Sequence, residues 1–342
     1  GGFGDPATDI PGDGRPYFQG DDTSGILVWG AQVEDRDSVT AYTPTSGTPI
    51  TKYQPQLMFA SPDQPRFDHD PLTGESKGLL IEESRTNLIE YSEDFSNWSI
   101  YNGPLEVTHN TVIAPDGTLA ATIIKDISTG SYSGIYESLD INSGDYTSSV
   151  FIKQGSSATS SIWIALTVDG MVKQETITWT AGVPTASSIQ FIDMGNGWYR
   201  AYVTVTSTTS QSMIMYLLPC GFNATYTGTT VFWGAQLEAS AFATSYIKTS
   251  GASATRSADN ASITGENFSS WYRQDEGSIL FDLKLNEDSG WKYIFGITTN
   301  GNWQQDLISS RHLGSNLQAI LKKQSVDFNS SQIGFSQDGN FF

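Results

Sequence analysis

The hexapeptide Trp29-Gly-Ala-Gln-Val-Glu34 returns as Trp233-Gly-Ala-Gln-Leu-Glu238. At the same offset of 204 positions, with no gap, Thr40 matches Thr244, Tyr42 matches Tyr246, Thr45-Ser-Gly47 matches Thr249-Ser-Gly251, Thr51 matches Thr255 and Lys52 falls on Arg256. Similarity at a fixed offset marks two copies of one structural unit and constrains the architecture before any single residue does. Only the second copy has a domain's length of chain with it, roughly 160 residues from Tyr91 to Ser250, whereas 28 residues stand before Trp29. Residues 1–53 therefore read as the closing strands of a first module. The rest of that module is expected upstream in a longer polypeptide or from another chain.

The pattern between the repeats is β. Runs rich in Val, Ile, Thr, Tyr and Trp alternate with period two and are broken by Gly, Asn, Asp, Ser and Pro clusters, the signature of a sandwich or barrel. Strands are expected at 146–153, 161–168, 175–180, 198–206, 212–218, 229–238 and 278–285, with another from Trp291 to Ile297. Asp94 to Ser99 is expected to turn once, and no stretch sustains an apolar period of 3.6 over three turns. The fold class is all-β. Residues 54–90 form a connector in which Pro55, Pro62, Pro65 and Pro71 fix φ and remove donors; Gly78-Leu-Leu-Ile81 within it reads as a short strand that docks on a neighbouring sheet. A complete module spans 91–263, and a new, incomplete β unit occupies 264–342.

Composition narrows the functions. With 37 acidic and 18 basic side chains the net charge is −19, and 17 of the acids stand against 6 bases in residues 1–94. Such a field repels phosphate backbones and anionic bilayers, which argues against nucleic-acid binding and membrane insertion. Its plain reading is a solvated surface that keeps a concentrated assembly soluble. A lone cysteine, Cys220, and three scattered histidines exclude an intrachain disulfide and a structural zinc site. There is no Gly-x-Ser-x-Gly elbow, no His-Glu-x-x-His and no phosphate or dinucleotide loop. Adjacent acids such as Glu82-Glu83 and Glu93-Asp94 point to opposite faces of a strand, so adjacency does not make a glycosidase pair. No enzyme is expected.

Binding is expected instead. An aromatic face stacks on the apolar side of a pyranose while neighbouring polar groups take its hydroxyls. In Ile162 to Val168 the aliphatics Ile162, Ile164, Leu166 and Val168 share one face, which leaves Trp163 outward and exposed. In Trp198 to Thr206, Tyr199, Ala201, Val203 and Val205 group inward and leave Trp198, Arg200 and Tyr202 outward, an arginine between two aromatics and a platform for a sugar, an acidic one included. Trp163, Trp198, Arg200 and Tyr202 are thus the glycan-binding candidates; burial of these faces by a second sheet, a neighbouring module or a partner subunit is the competing reading. Trp233 with Val231, Ala235 and Leu237, Trp29 with Leu27, Ala31 and Val33, and Trp179 with Ile177 are assigned to cores.

The combination Pro65-Arg-Phe-Asp-His-Asp-Pro71, Gly78-Leu-Leu-Ile-Glu-Glu83, Arg85-Thr-Asn-Leu88, Ser92-Glu-Asp-Phe-Ser-Asn-Trp98, Ala114-Pro-Asp-Gly-Thr118, Gly195-Asn-Gly-Trp-Tyr-Arg200 and Trp233 to Tyr246 resembles modular tail-fibre and other virion structural proteins of tailed bacteriophages, with their carbohydrate-binding-module-like jelly-roll domains. Residues 268–342 are more loosely similar to the first strands of a concanavalin A-like sandwich. The resemblance implies tandem jelly-roll β-sandwich modules with a partial concanavalin A-like sandwich at the C-terminal end. It also implies a virion-surface location, other virion proteins as partners, a homo-oligomer with a trimer favoured, and a host cell-surface glycan as ligand. Jelly-roll modules of that kind often hold a structural calcium between first and last strands, which here would draw on Glu93, Asp94 and Glu238; no other cofactor is implied. The binding-module portion of a glycan-degrading enzyme, or a bacterial surface adhesin, would share the same fold.

Overall fold

The computed structural model describes residues 30–33, 55–61, 63–222, 227–273, 291–298, 307–313, 316–323 and 326–334. The chain divides into two compact units, Gly1–Gln54 and Pro55–Phe342. Of the first unit only 30–33 are described; Leu27, Trp29 and most of the first repeat copy lie outside the described residues, as does the strand expected at 278–285.

The second unit opens with a hairpin, β1 (Phe67–His69) and β2 (Ser76–Leu79), and then β3 (Arg85–Asn87). A sandwich follows, built from β4 (Ser99–Tyr101), β5 (Leu105–Ile113), β6 (Leu119–Asp126), β7 (Gly134–Ile141), β8 (Gly144–Gln154), β9 (Thr159–Leu166), β10 (Gly170–Thr180), β11 (Val183–Thr185), β12 (Gln190–Gly195), β13 (Trp198–Ser207), β14 (Gln211–Leu218) and β15 (Gly228–Glu238). One sheet has the order β11-β10-β9-β14-β7-β4 and the other β12-β13-β8-β15-β6-β5. The pairings are antiparallel, and the chain changes sheets after β4, β6, β7, β8, β11, β13 and β14, the crossing pattern of a jelly roll. The strands anticipated from alternation within the described residues are present, and Asp94 caps a single 3-10 turn, Phe95–Asn97.

The core lies between the sheets. Ile162, Ile164, Leu166, Ile177, Met213, Met215 and Leu217 from one sheet meet Ile124, Val150, Ile152, Ala201, Val203, Val205 and Phe232 from the other. Alternation therefore assigns the inward faces of β9 and β13 correctly, and Trp179 with Ile177 belongs to this core. Val168 does not: it lies beyond the end of β9 and is exposed.

Strand β15 breaks the simple rule. Register slips between Trp233 and Gln236, and Gly234 adopts a left-handed φ of 62°. A Cβ there would stand 2.9 Å from Cδ2 of Phe151, so the bulge requires glycine on two counts. The extra residue swaps the faces: Phe232, Ala235 and Leu237 point into the core, while Val231 and Trp233 turn to the opposite side and join Phe151, Trp198 and Tyr246 in a second cluster. The expectation that Trp233 shares a face with Ala235 and Leu237 is corrected by that one glycine. Gly30 in the first copy has φ 66°, the same excursion. Val33, assigned to a core, is 100% exposed.

After β15 the chain folds back through β16 (Ala254–Arg256), which pairs with β3. Asn87 stands at this closure. Its Nδ2 donates to Ala235 O (3.1 Å) and Ile247 O (2.8 Å), and its Oδ1 accepts from Ile89 N and Leu237 N, both at 3.1 Å. Four buried backbone groups of three segments are thereby satisfied by one side chain. The strand expected at 78–81 lies two residues earlier, at Ser76–Leu79, and pairs with β1, so its docking on a neighbouring sheet is not observed among the described residues. A short helix, α1 (Glu266–Ser269), precedes a four-stranded antiparallel meander of β17 (Trp291–Thr298), β18 (Leu307–Leu313), β19 (Asn316–Lys323) and β20 (Val326–Gly334).

Candidate functional site

The outward face of the second sheet is where Trp198, Arg200 and Tyr202 were expected to be exposed. Their strand phase is right and their exposure is not. Trp198 is 3% exposed and donates from Nε1 to Ile113 O at 3.1 Å; Arg200 is 7% exposed, donating to Thr244 O (2.5 Å) and Ser149 Oγ (2.9 Å) beneath the returning chain. Burial pushes the Arg200 guanidinium down, opposed by Glu238 and Glu82. Tyr202 is half-buried and donates to Gln190 Oε1 at 2.6 Å. The cover is the closing segment itself, whose Tyr246 ring stands 4.9 Å from Trp233 and 5.7 Å from Phe151. Leu57 of the connector adds to it, its N–H bonded to Pro115 O at 2.8 Å. A strand pattern shows which way a side chain points. It does not show what later folds over it.

The residues expected to hold calcium are spent on other contacts. Glu238 is fully buried and accepts from Thr244 N (3.0 Å) and Thr244 Oγ1. Glu93 accepts from Lys248 Nζ (2.7 Å) and Tyr246 Oη (3.1 Å), and Asp94 from Ser96 N (3.1 Å) and Asn97 Nδ2 (2.9 Å). Among the described residues no three His, Cys, Asp or Glu side chains converge on a point where a cation could sit.

Trp163 leads to the site. Like Trp198 it faces away from the core and is buried, 5% exposed, and the expected exposure is again wrong. What covers it is aromatic. In register across adjacent strands, Trp163 of β9 stands beside Tyr216 of β14, which stands beside Tyr136 of β7, while Gln174 of β10 flanks Trp163 on the other side. Trp163 stacks on Tyr216 with centroids 4.4 Å apart and planes at 22°. Tyr101, Tyr132 and Phe222 surround this pair at 5.7, 6.5 and 5.8 Å from Trp163. Trp163 and Tyr216 form a floor, and half-buried Tyr101, Tyr132, Tyr136 and Phe222 form a rim.

The polar equipment of this face is hydroxyl and amide. Burial, followed by the neighbouring tyrosines, pushes the Tyr132 and Tyr216 hydroxyls up, so both stay protonated and able to donate and accept. The Trp163 indole N–H is buried without an acceptor among the described residues. Beside the floor, Gln174, Thr176, Thr178 and Thr185 line an open groove of about 480 Å³ along β10 and β11. Alternation in 212–218 puts Ile214, Tyr216 and Leu218 outward, a signal present in the sequence; the pairing of β14 between β7 and β9 that assembles the row is not.

We expect Trp163→Ala and Trp198→Ala each to lower the melting temperature by roughly 5–10 °C, as loss of a buried tryptophan costs about 3–5 kcal/mol. Melting unchanged to within a degree or two in calorimetry would contradict the burial of either ring.

No protein-family model matches the chain, and no curated protein matches it. Among solved structures it is similar to the enzymatically active domain of tailspike protein 4 of bacteriophage CBA120, at 12% identity and TM-score 0.29 over 44% of this chain and 21% of that one. It is also similar to TmCBM27, a carbohydrate-binding module that recognises mannan, at 12% identity and TM-score 0.27 over 47% of this chain and 98% of that one. The tripod of the bacteriophage Tuc2009 baseplate is matched at 15% identity and TM-score 0.24 over 80% of this chain and 98% of that one. No helix among the described residues is long and apolar enough to cross a membrane.

Proposed function

We propose that this chain is a non-enzymatic structural segment of a tailed-bacteriophage virion, a tail or capsid fibre piece assembled as a homo-oligomer, whose complete jelly-roll module presents its aromatic face to a glycan on the host surface. The observation that carries the reading is the in-register row Trp163–Tyr216–Tyr136 with its tyrosine rim. Aromatic rings and hydroxyls on a rigid sheet supply what a pyranose needs, apolar area for its C–H face and donors for its edge. The motifs resembling phage fibre proteins support the virion role. The paired carboxylates support a non-catalytic one, since Glu82 is bonded to Arg66, Glu83 to Arg85 and Glu93 to Lys248.

The test is adsorption of the fluorescently labelled protein to a panel of bacterial strains, with and without periodate oxidation of surface glycans, alongside the native mass by light scattering. Adsorption of an oligomer that is abolished by periodate is expected. Adsorption that survives periodate overturns the glycan reading, and shortening of a polysaccharide by the protein overturns the non-enzymatic one.

A further inference from the structure

We infer that the ligand of this face is an uncharged glycan, and that glycans bearing uronic or sialic acids are rejected. The inference rests on the glycan reading above and concerns the chemistry of the same site. Side chains paired across the sheet share a face, so register gives the inventory of the surface around the floor. It comprises Thr178, Thr176 and Gln174 on β10, Ser161, Trp163 and Ala165 on β9, Ile214, Tyr216 and Leu218 on β14, Tyr136, Ser138 and Asp140 on β7, and Ser99 and Tyr101 on β4. No lysine or arginine belongs to any of these rows. Lys173 is paired with Ile164, whose side chain is in the core, and so belongs to the other face.

The charge that is present has the wrong sign for an anion. Asp140 sits at one end of the face, accepting from Ser212 Oγ, while Glu175, paired with Ile162, belongs like Lys173 to the other face. An anionic sugar would therefore approach a carboxylate on a chain of net charge −19 with no guanidinium or ammonium in these rows to receive it. A neutral sugar meets no such cost. It finds tyrosine hydroxyls, the exposed Gln174 amide and threonine hydroxyls. Arg200, which from sequence made an acidic sugar plausible, is buried on the other sheet.

The experiment is titration calorimetry of the whole protein with neutral gluco- and galacto-configured hexaoses, with hexagalacturonate and with sialyllactose, each at low salt and at about 0.5 M salt. We expect binding of a neutral hexaose, insensitive to salt, weakened about tenfold by Tyr136→Ala. The same weakening is expected for Gln174→Ala, an exposed position that does not risk the fold. Binding of either anionic probe as tightly as the neutral ones overturns the inference and leaves the glycan reading standing. No binding of any probe, with Tyr136→Asp dissociating the native oligomer, overturns both and makes this face a subunit interface.

Discussion

Replacing Asn87 by alanine is expected to lower the stability of the sandwich by about 3–6 kcal/mol and its melting temperature by 10 °C or more. The side chain is fully buried and satisfies two carbonyls and two N–H groups belonging to the residues just after β3, to β15 and to the returning chain. None of the four can turn to water once the side chain is gone, and each stranded group costs about 1–3 kcal/mol. Aspartate is no remedy, because a carboxylate cannot donate to Ala235 O and Ile247 O and would bring a buried charge as well. The neighbouring Thr86→Ala, which removes an exposed 2.7 Å bond between Thr86 and Thr255 hydroxyls, is the control and should shift melting by only a degree or two. Equal, small shifts in both variants would refute the role of Asn87 as the clasp.

The second large effect is at Glu82. Its carboxylate lies 2.7 Å from Arg66 Nη1 and 3.2 Å from Arg256 Nη1 and accepts from Ser245 N at 2.9 Å, while its own N–H donates to Asp259 Oδ2 at 2.7 Å. Connector, β3 approach and returning chain are joined at one buried acid. Glu82→Gln leaves Arg256 without its carboxylate partner and Arg66 with Asp259 alone, and is expected to cost about 3–5 kcal/mol at neutral pH. The pH dependence has a definite sign. Burial favours the protonated form, but the Ser245 N–H and the two arginines prevail and hold the Glu82 pKa below its ordinary 4.5. A carboxyl depressed in the folded state contributes stability that is present above pH 4.5 and lost as pH falls through the folded value. In melts from pH 7 down to pH 3, the gap between the parent and Glu82→Gln should therefore be constant to about pH 5 and then narrow. A gap that stays constant to pH 3 would remove Glu82 from the acid response.

Both predictions concern residues whose importance is invisible in a linear reading. Asn87 and Glu82 lie in short motifs with no periodicity, and most of their partners are about 150 to 177 positions away. The alternation of β9 and β13, in contrast, carried the assignment of inward faces, because a residue's side of the sheet depends on its own strand alone. Where alternation failed, at Trp233, a left-handed glycine had inserted one residue into the count. The Trp-Gly step occurs in both repeat copies and is the signal that a bulge was present.

What the sequence determined by itself is local and periodic: an all-β chain, the limits of most strands, the two copies of a closing segment, and an acidic surface. The tertiary structure alone decided what covers each outward face. On one sheet the chain's own closing segment and connector bury Trp198 and Arg200; on the other, strand order sets Trp163, Tyr216 and Tyr136 side by side and makes a single expected tryptophan into a row. The reason is that strand phase is a one-dimensional property, whereas burial and cross-strand neighbours depend on which distant strands pair, and that choice is made by the packing of the whole sandwich.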